Sequence, residues 1–144
     1  MIDVNIDEFY RDIGIILLSL YRQFPQKVSL FVEDVSGPDT MDEFGLHSPR
    51  HLACVGAFQW LKDEDYIRYR DLARYESADE CTLTEKAFSK LIRPQLPLEQ
   101  RVQASSLERQ QSTLIYRLEK AIREESGVDL RFLIEEFFIL TETA

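Results

Sequence analysis

The chain has 144 residues, and its 26 acidic side chains outnumber 17 basic ones, for a formal net charge of −9. A hydrophobic share of 44% is enough for a folded core and excludes a wholly disordered chain. The acidic balance argues against a general affinity for nucleic acid or for anionic membranes.

The same composition bears on location. No run reaches the ~18–20 apolar residues that a membrane span needs. The N-terminal residues are acidic, whereas a signal peptide begins with basic ones. Cys54 and Cys81 are too few for a disulfide framework. We therefore expect a cytoplasmic protein with free thiols and no membrane partner.

An amphipathic helix opens the chain. Apolar side chains recur at helical spacing from Ile6 to Phe24, and Pro25 ends the pattern. Asn5 followed by Glu8 matches the capping-box pattern, so the helix is expected to begin at Asn5.

The next segment leaves two alternatives open. Residues 28–35 alternate like a single strand, but a strand of three or four residues followed by a short helix fits equally. Residues 36–48 are expected to form an acidic loop with room for one helical turn at 41–44.

A helix, a ribbon and a second helix are predicted next. Ser48 and Pro49 are a strong N-cap and first-turn pair. The expected elements are a helix to about Glu64, a strand over 66–70, a polar turn over 71–79, a strand over 81–83, and a helix capped by Thr84.

The C-terminal third is predicted to be a helical arm. Two prolines break the pattern at 93–97, and a long polar helix is expected over 98–125, followed by an apolar helix capped by Asp129. The narrow apolar stripe of the long helix suggests a coiled-coil seam, in which Gln111 either sets the register or is simply exposed. We therefore predict a homodimer, with the domains 1–93 and 94–144 and the dimerisation residues Leu107, Gln111, Leu114, Leu118, Phe132, Phe137 and Phe138.

Two short motifs carry a resemblance. They are Leu61-Lys62-Asp63-Glu64-Asp65-Tyr66-Ile67 and Leu83-Thr84-Glu85-Lys86-Ala87. With the order of elements over residues 5–93, they resemble the winged helix-turn-helix superfamily, particularly small bacterial regulators of the MarR and PadR type. The resemblance implies a mainly helical α+β fold with a β-hairpin wing. Asp65 stands where that family usually has Gly, which requires a left-handed Asp or a looser turn.

The resemblance also implies contact residues, because the family's recognition helix enters the DNA major groove and the wing touches the backbone. Carried onto this sequence, the candidates are Ser48, Arg50, His51, Leu52, Val55 and Gln59 on the helix and Arg68, Tyr69, Arg70 and Arg74 on the wing.

The residues themselves favour protein contacts over DNA. Opposite the core side of the predicted recognition helix, only Ser48 and Gln59 could hydrogen-bond a base, while Leu52 and Val55 are apolar. Residues 45–93 carry eight acidic and eight basic side chains, so little phosphate neutralisation is available. We expect a regulatory or assembly module with an unidentified protein partner; the alternative is a DNA-binding transcriptional regulator.

No enzyme motif is present, and neither a catalytic role nor a cofactor is expected. His47, His51 and Cys54 have the i, i+4, i+7 spacing of three zinc ligands on one helix face. Because His47 precedes the Ser48 cap, we expect it to lie off the helix, and three separate structural roles are favoured over a metal site.

Overall fold

The computed structural model describes residues 4–140; the first three residues of the acidic N-terminal segment and the last four of the chain lie outside it. The fold is α+β and mostly helical, with one small antiparallel sheet. The elements over the described range are α1 (Val4–Gln23), β1 (Val28–Phe31), α2 (Val32–Ser36), α3 (Pro49–Asp63), β2 (Ile67–Arg68), β3 (Leu72–Ala73), β4 (Ser77–Leu83), α4 (Glu85–Ile92), α5 (Leu98–Gln103), α6 (Ser106–Gln111), α7 (Leu114–Arg123) and α8 (Gly127–Ile139).

Strand β4 is the centre of the sheet. It pairs antiparallel with β1 on one side, where Val28 lies opposite Cys81, and with β2 on the other, where Ile67 lies opposite Leu83. Strand β3 forms a hairpin with the first residues of β4. The predicted polar turn over 71–79 is therefore wrong, because the turn is confined to residues 74–76 and the flanking residues pair as strands.

Local capping chemistry explains most helix starts. Ser48 accepts a hydrogen bond from the His51 amide, and Thr84 accepts one from the Ala87 amide, as predicted. Ser126, not Asp129, caps α8, since its hydroxyl accepts the Asp129 amide. Asn5 is no cap, because α1 already includes Val4. Between α1 and α3 the second alternative holds, with a strand followed by the short helix α2.

Helix α1 lies in the middle of the core. Its apolar face packs against α3, the sheet, α7 and α8. At Gly14 the contact with α8 is so close that an added Cβ would lie 2.7 Å from Leu130 Cδ1. The core therefore includes side chains from both the predicted N-terminal domain and the predicted arm.

The single helix expected over 98–125 is wrong, because the chain forms three helices there. Ser105 caps α6 by accepting the Glu108 amide, and Thr113 caps α7 by accepting the Tyr116 amide. Hydroxyl side chains that take backbone donors in this way favour a new helix start over a continuous rod.

The break changes the role of the predicted dimerisation residues. Leu114, Leu118 and Phe137 are buried in the chain's own core, because α7 and α8 pack on α1. Phe138 is half-buried among the rings of Phe9, Tyr10, Trp60, Tyr66 and Phe137. Leu107, Gln111 and Phe132 remain exposed, but no continuous seam joins them.

Over residues 4–140, no helix combines the length and apolar character needed to cross a bilayer.

Candidate functional site

Helix α3 presents two different faces. The face that carries Leu61 is buried. It also includes Cys54, Ala57 and Phe58, as the helical spacing predicted. On the outer side Leu52 is 45% exposed, whereas the neighbouring Val55 is only 3% exposed and belongs to the core. The exposed side chains up to residue 59 are small or uncharged, namely Pro49, Leu52, Ala53, Gly56 and Gln59, and the charged Lys62 and Asp63 are exposed at the C-terminal end of the helix.

Arg50 does not point to that surface. Its guanidinium donates from Nη1 to Asp12 Oδ2 at 2.8 Å and from Nη2 to Asp12 Oδ1, and its Nε lies 3.1 Å from Glu8 Oε2. The hydrogen bonds to Asp12 raise the pKa of Arg50. This predicted contact residue instead ties α3 to α1.

The tip of the β3–β4 hairpin is a three-residue loop, residues 74–76, with an unusual sequence. Arg74 and Tyr75 have φ values of 53° and 59°, and the Glu76 amide donates to the Ala73 carbonyl at 2.8 Å. Two consecutive left-handed positions in a hairpin turn, as in type I′ turns, normally take Asn or Gly. A residue with a Cβ costs about 1–2 kcal/mol at each of them.

Two histidines hold this turn by its carbonyl groups. His47 Nε2 lies 3.2 Å from the Arg74 carbonyl oxygen, and His51 Nε2 lies 2.6 Å from that of Tyr75. The two imidazole rings are stacked, with centroids 4.1 Å apart and planes 9° from parallel. His51, predicted as an outward contact residue, is 2% exposed and faces the hairpin.

The other nitrogens of these histidines face one carboxylate. His47 Nδ1 lies 2.6 Å from Asp39 Oδ2, and His51 Nδ1 lies 3.5 Å from the same oxygen. The Asp39 side chain is 1% exposed, and its Oδ1 accepts the Ser48 amide at 3.1 Å. Hydrogen bonds from Ser48 and His47 hold the pKa of the Asp39 carboxyl well below its usual range, and the contact with Asp39 raises the pKa of His47.

No family model, curated protein or solved structure matches this chain. What the protein does is therefore inferred from its own geometry.

The zinc-like trio considered from spacing is not assembled. Cys54 lies on the core side of α3, where its Sγ is 4.0 Å from the Val32 carbonyl oxygen, and burial raises the pKa of its thiol to about 12. Asp39 takes the third place beside His47 and His51. Sequence spacing could not indicate this, because Asp39 is separated from Ser48 by a loop of irregular conformation.

The predicted wing residues lie on and beside β2 and β3. Arg68 is exposed, Arg70 lies within 4 Å of both Asp71 and Glu80, and Arg74 sits at the hairpin tip. Tyr69 is half-buried, and Lys62 Nζ lies over the Tyr69 ring, 4.4 Å from the ring centroid. Asp65 adopts the left-handed conformation, with φ 62°, as one of the two alternatives required.

A second surface feature was missed by the sequence argument. The loop before Ser48 exposes Met41, Phe44 and Leu46, and Phe44 is 79% exposed. Asp42 organises this loop, because its Oδ1 accepts the amides of Phe44 and Leu46 at 2.9 Å each. A loop with exposed apolar side chains beside Asp42 and Glu43 thus leads into the start of α3.

A broad groove of about 960 Å³ lies between α1, α7 and α8. Its apolar lining includes Ile15, Ile122 and the exposed Phe132, and its rim carries charges of both signs. Of the predicted dimerisation residues, Phe132 is the one that lines this groove.

Proposed function

We propose that the protein is a non-enzymatic binding module of winged-helix type that acts through protein contacts. The order α1, β1, α2, α3, β2, β3 and β4, with β4 between β1 and β2, supports the winged-helix assignment. The hairpin of β3 and β4 would be the wing, and α3 would correspond to the recognition helix.

The charge distribution on α3 carries the choice of protein over DNA. The one Arg in its first half is engaged by Asp12, and Lys62 near its end lies over the Tyr69 ring. The outer face around Leu52 and Gly56 therefore offers almost no positive charge to phosphates, which supply most of the non-specific affinity for DNA.

The exposed apolar residues indicate the kind of partner. Leu52 on α3 and the loop residues Met41, Phe44 and Leu46 are large apolar groups left open to solvent. All four belong to the segment 41–52, in which the loop leads into α3. Exposed apolar groups mark protein contact sites when they form one patch rimmed by polar residues. Because Asp42 and Glu43 lie in the same loop, the partner should offer an apolar patch with basic side chains around it.

Three exposed arginines, on β2, just before β3 and at the hairpin tip, favour the DNA-binding alternative. Arg68, Arg70 and Arg74 could clasp phosphates on the flanking backbone of a duplex. Arg70, however, already lies between two carboxylates. The exposed arginines therefore make a DNA-binding regulator the second candidate function.

The experiment places a photo-crosslinking residue at position 52 and, as the matched control, at the exposed Leu107. We expect position 52, but not position 107, to give one discrete covalent product with a protein of the source cell. With that partner purified, Leu52→Asp should weaken binding at least about tenfold while Leu107→Asp leaves it unchanged. Val55→Asp is unsuitable, because Val55 is in the core.

The contrary result is equally specific. Binding of random-sequence duplex at low salt, with a salt slope that Arg68→Ala and Arg74→Ala each reduce by about one, would favour the DNA regulator. The DNA regulator would be favoured if, in addition, Leu52→Asp left every protein contact unchanged.

A further inference from the structure

We propose that Asp39, His47 and His51 form a site for a divalent transition-metal ion, with Zn²⁺ as the ion that the donor set favours. One ligand atom from each of the three residues lies within 4.8 Å of the others. Imidazole nitrogens suit zinc and its first-row neighbours, whereas Mg²⁺ and Ca²⁺ prefer oxygen ligands.

The hydrogen bonds at the outer ring nitrogens support this assignment. A carbonyl oxygen only accepts, so the bonds from His47 Nε2 to Arg74 and from His51 Nε2 to Tyr75 place a proton on each Nε2. His47 Nδ1 donates to Asp39 Oδ2 at 2.6 Å, so a metal ion would replace that proton. His51 Nδ1 makes no hydrogen bond to a described residue, and it carries the lone pair when the ring is neutral. Metal-binding histidines are typically held in this way, with the distal N–H donated to a backbone carbonyl.

His51 supplies an independent observation. Its Nδ1 is buried and has no hydrogen-bond partner among the described residues, although it lies 3.5 Å from Asp39 Oδ2. A buried polar atom without a partner costs about 1–3 kcal/mol and calls for an explanation. A cation between this nitrogen and the carboxylate oxygen would satisfy both groups.

The Asp39 carboxylate also faces the proposed position of the ion. The Ser48 amide occupies its Oδ1, which leaves Oδ2 directed at the two histidines. The carboxylate would supply the negative charge that a divalent ion needs in a buried position.

Binding requires a defined movement. A metal lies in the plane of each imidazole that ligates it, so two rings only 9° from parallel cannot share one ion without tilting. His47 is the ring expected to tilt, because it precedes the Ser48 cap and lies outside the helix. We expect the angle between the rings to open while the His51 ring stays in place.

The burial of the three side chains indicates a structural role for the ion. Asp39 and His51 are almost fully buried, and His47 is 12% exposed, so there is little room for a substrate. The ion would link the loop before Ser48 to α3 and, through the Nε2 hydrogen bonds, to the hairpin tip. It would thereby fix the loop that carries the exposed apolar residues against the wing.

The test uses the full chain without a histidine tag. Zn²⁺ binding is measured by titration calorimetry, and the ligand type by the visible absorption of the Co²⁺ form. We expect one ion per chain, a rise in the thermal midpoint with Zn²⁺, and a Co²⁺ spectrum without a thiolate charge-transfer band.

The variants separate ligation from folding. His47→Gln, on the loop side of the cap, and Asp39→Asn should each weaken Zn²⁺ binding at least about tenfold, as loss of a ligand does. Glu43→Gln in the same loop and Cys54→Ala should leave the affinity unchanged. Circular dichroism checks that each variant is folded.

Two results would overturn the proposal. One is no calorimetric or spectroscopic binding by the folded wild-type chain at millimolar Zn²⁺ or Co²⁺. The other is binding that His47→Gln retains at full strength while its circular dichroism spectrum is native, since the ion would then lie elsewhere.

Discussion

Arg50 and Asp12 join α3 to α1 through a two-pronged ion pair in which the Asp12 side chain is 1% exposed. Arg50→Met would leave the Asp12 carboxylate buried, with Arg11 Nη1 at 3.8 Å as its remaining cationic neighbour among residues 4–140. We expect this change to lower the free energy of unfolding by about 2–4 kcal/mol, measured by urea denaturation. Arg123→Met, which breaks an exposed pair with Glu119, is the control and should change it by less than about 0.5 kcal/mol. Equal effects of the two would show that the buried pair is not a stabilising link.

Substitutions at the hairpin tip should stabilise the protein. Replacing Arg74 and Tyr75 with Asn and Gly should raise the free energy of unfolding by about 1 kcal/mol, because both positions have positive φ. The carbonyl groups that the histidines contact belong to the backbone and are retained. Ala73→Gly, one residue earlier and without positive φ, should instead lower stability by about 0.5–1 kcal/mol. Thermal melts compare the stability of each variant with that of the wild type. An Asn-Gly variant less stable than the wild type would contradict the strain assigned to this turn.

Two glycines in helices should respond differently to the same substitution. Gly56 on the outer side of α3 has nothing within 4 Å of an added Cβ, so Gly56→Ala should stabilise the protein by about 1 kcal/mol. At Gly14 the added Cβ would press on Leu130 Cδ1 at 2.7 Å and Leu118 Cδ1 at 3.3 Å. The displacement of these leucines should cancel the gain in Gly14→Ala. A similar gain at both sites in chemical denaturation would mean that α1 and α8 are less closely packed.

Both cysteine thiols should be inert in the folded protein. Burial raises the pKa of Cys54 and of Cys81 from 9.0 to about 12. At pH 8 the thiolate fraction is then about one in ten thousand in the native state and about one in ten in the unfolded chain. Labelling with a disulfide reagent at pH 8 should therefore be slow without denaturant and rapid for both thiols in guanidinium chloride. Rapid labelling of the native protein would contradict the burial of these residues.

Truncation after Pro97 tests how the C-terminal helices are used. The shortened chain lacks Leu114, Leu118, Leu133 and Phe137, all of them buried in the core around α1. We expect an insoluble or poorly folded product, which circular dichroism and sedimentation would reveal. A soluble, folded monomer would support the separate arm that the sequence suggested, and a soluble dimer would show that dimerisation does not need that arm.

Sequence patterns located most elements between residues 4 and 93. Ser48 with Pro49 and Thr84 predicted two helix starts correctly, because a cap is a local interaction within four residues. The same kind of signal was overlooked at Ser105 and Thr113, and the long helix over 98–125 was wrong for that reason. The hairpin tip gave no signal, since Arg74 and Tyr75 are poor choices for two left-handed positions and are held there by contacts from residues 47 and 51.

The candidate site was less predictable than the elements that carry it. His47 and His51 were noticed for their spacing, but their third neighbour was expected to be Cys54 and is Asp39. The resemblance named Arg50 and Val55 as contact residues, yet Arg50 pairs with Asp12 and Val55 is buried.

The sequence by itself determined the α+β class, the amphipathic α1, the buried side of α3 and the acidic balance, because periodicity, capping and charge act over a few residues. Only the tertiary structure decided that α7 and α8 belong to the core of their own chain, which face of α3 stays open, and that a loop carboxylate meets two histidines. Those outcomes depend on contacts between segments distant in the chain, and no local pattern records which distant side chain will fill a given position.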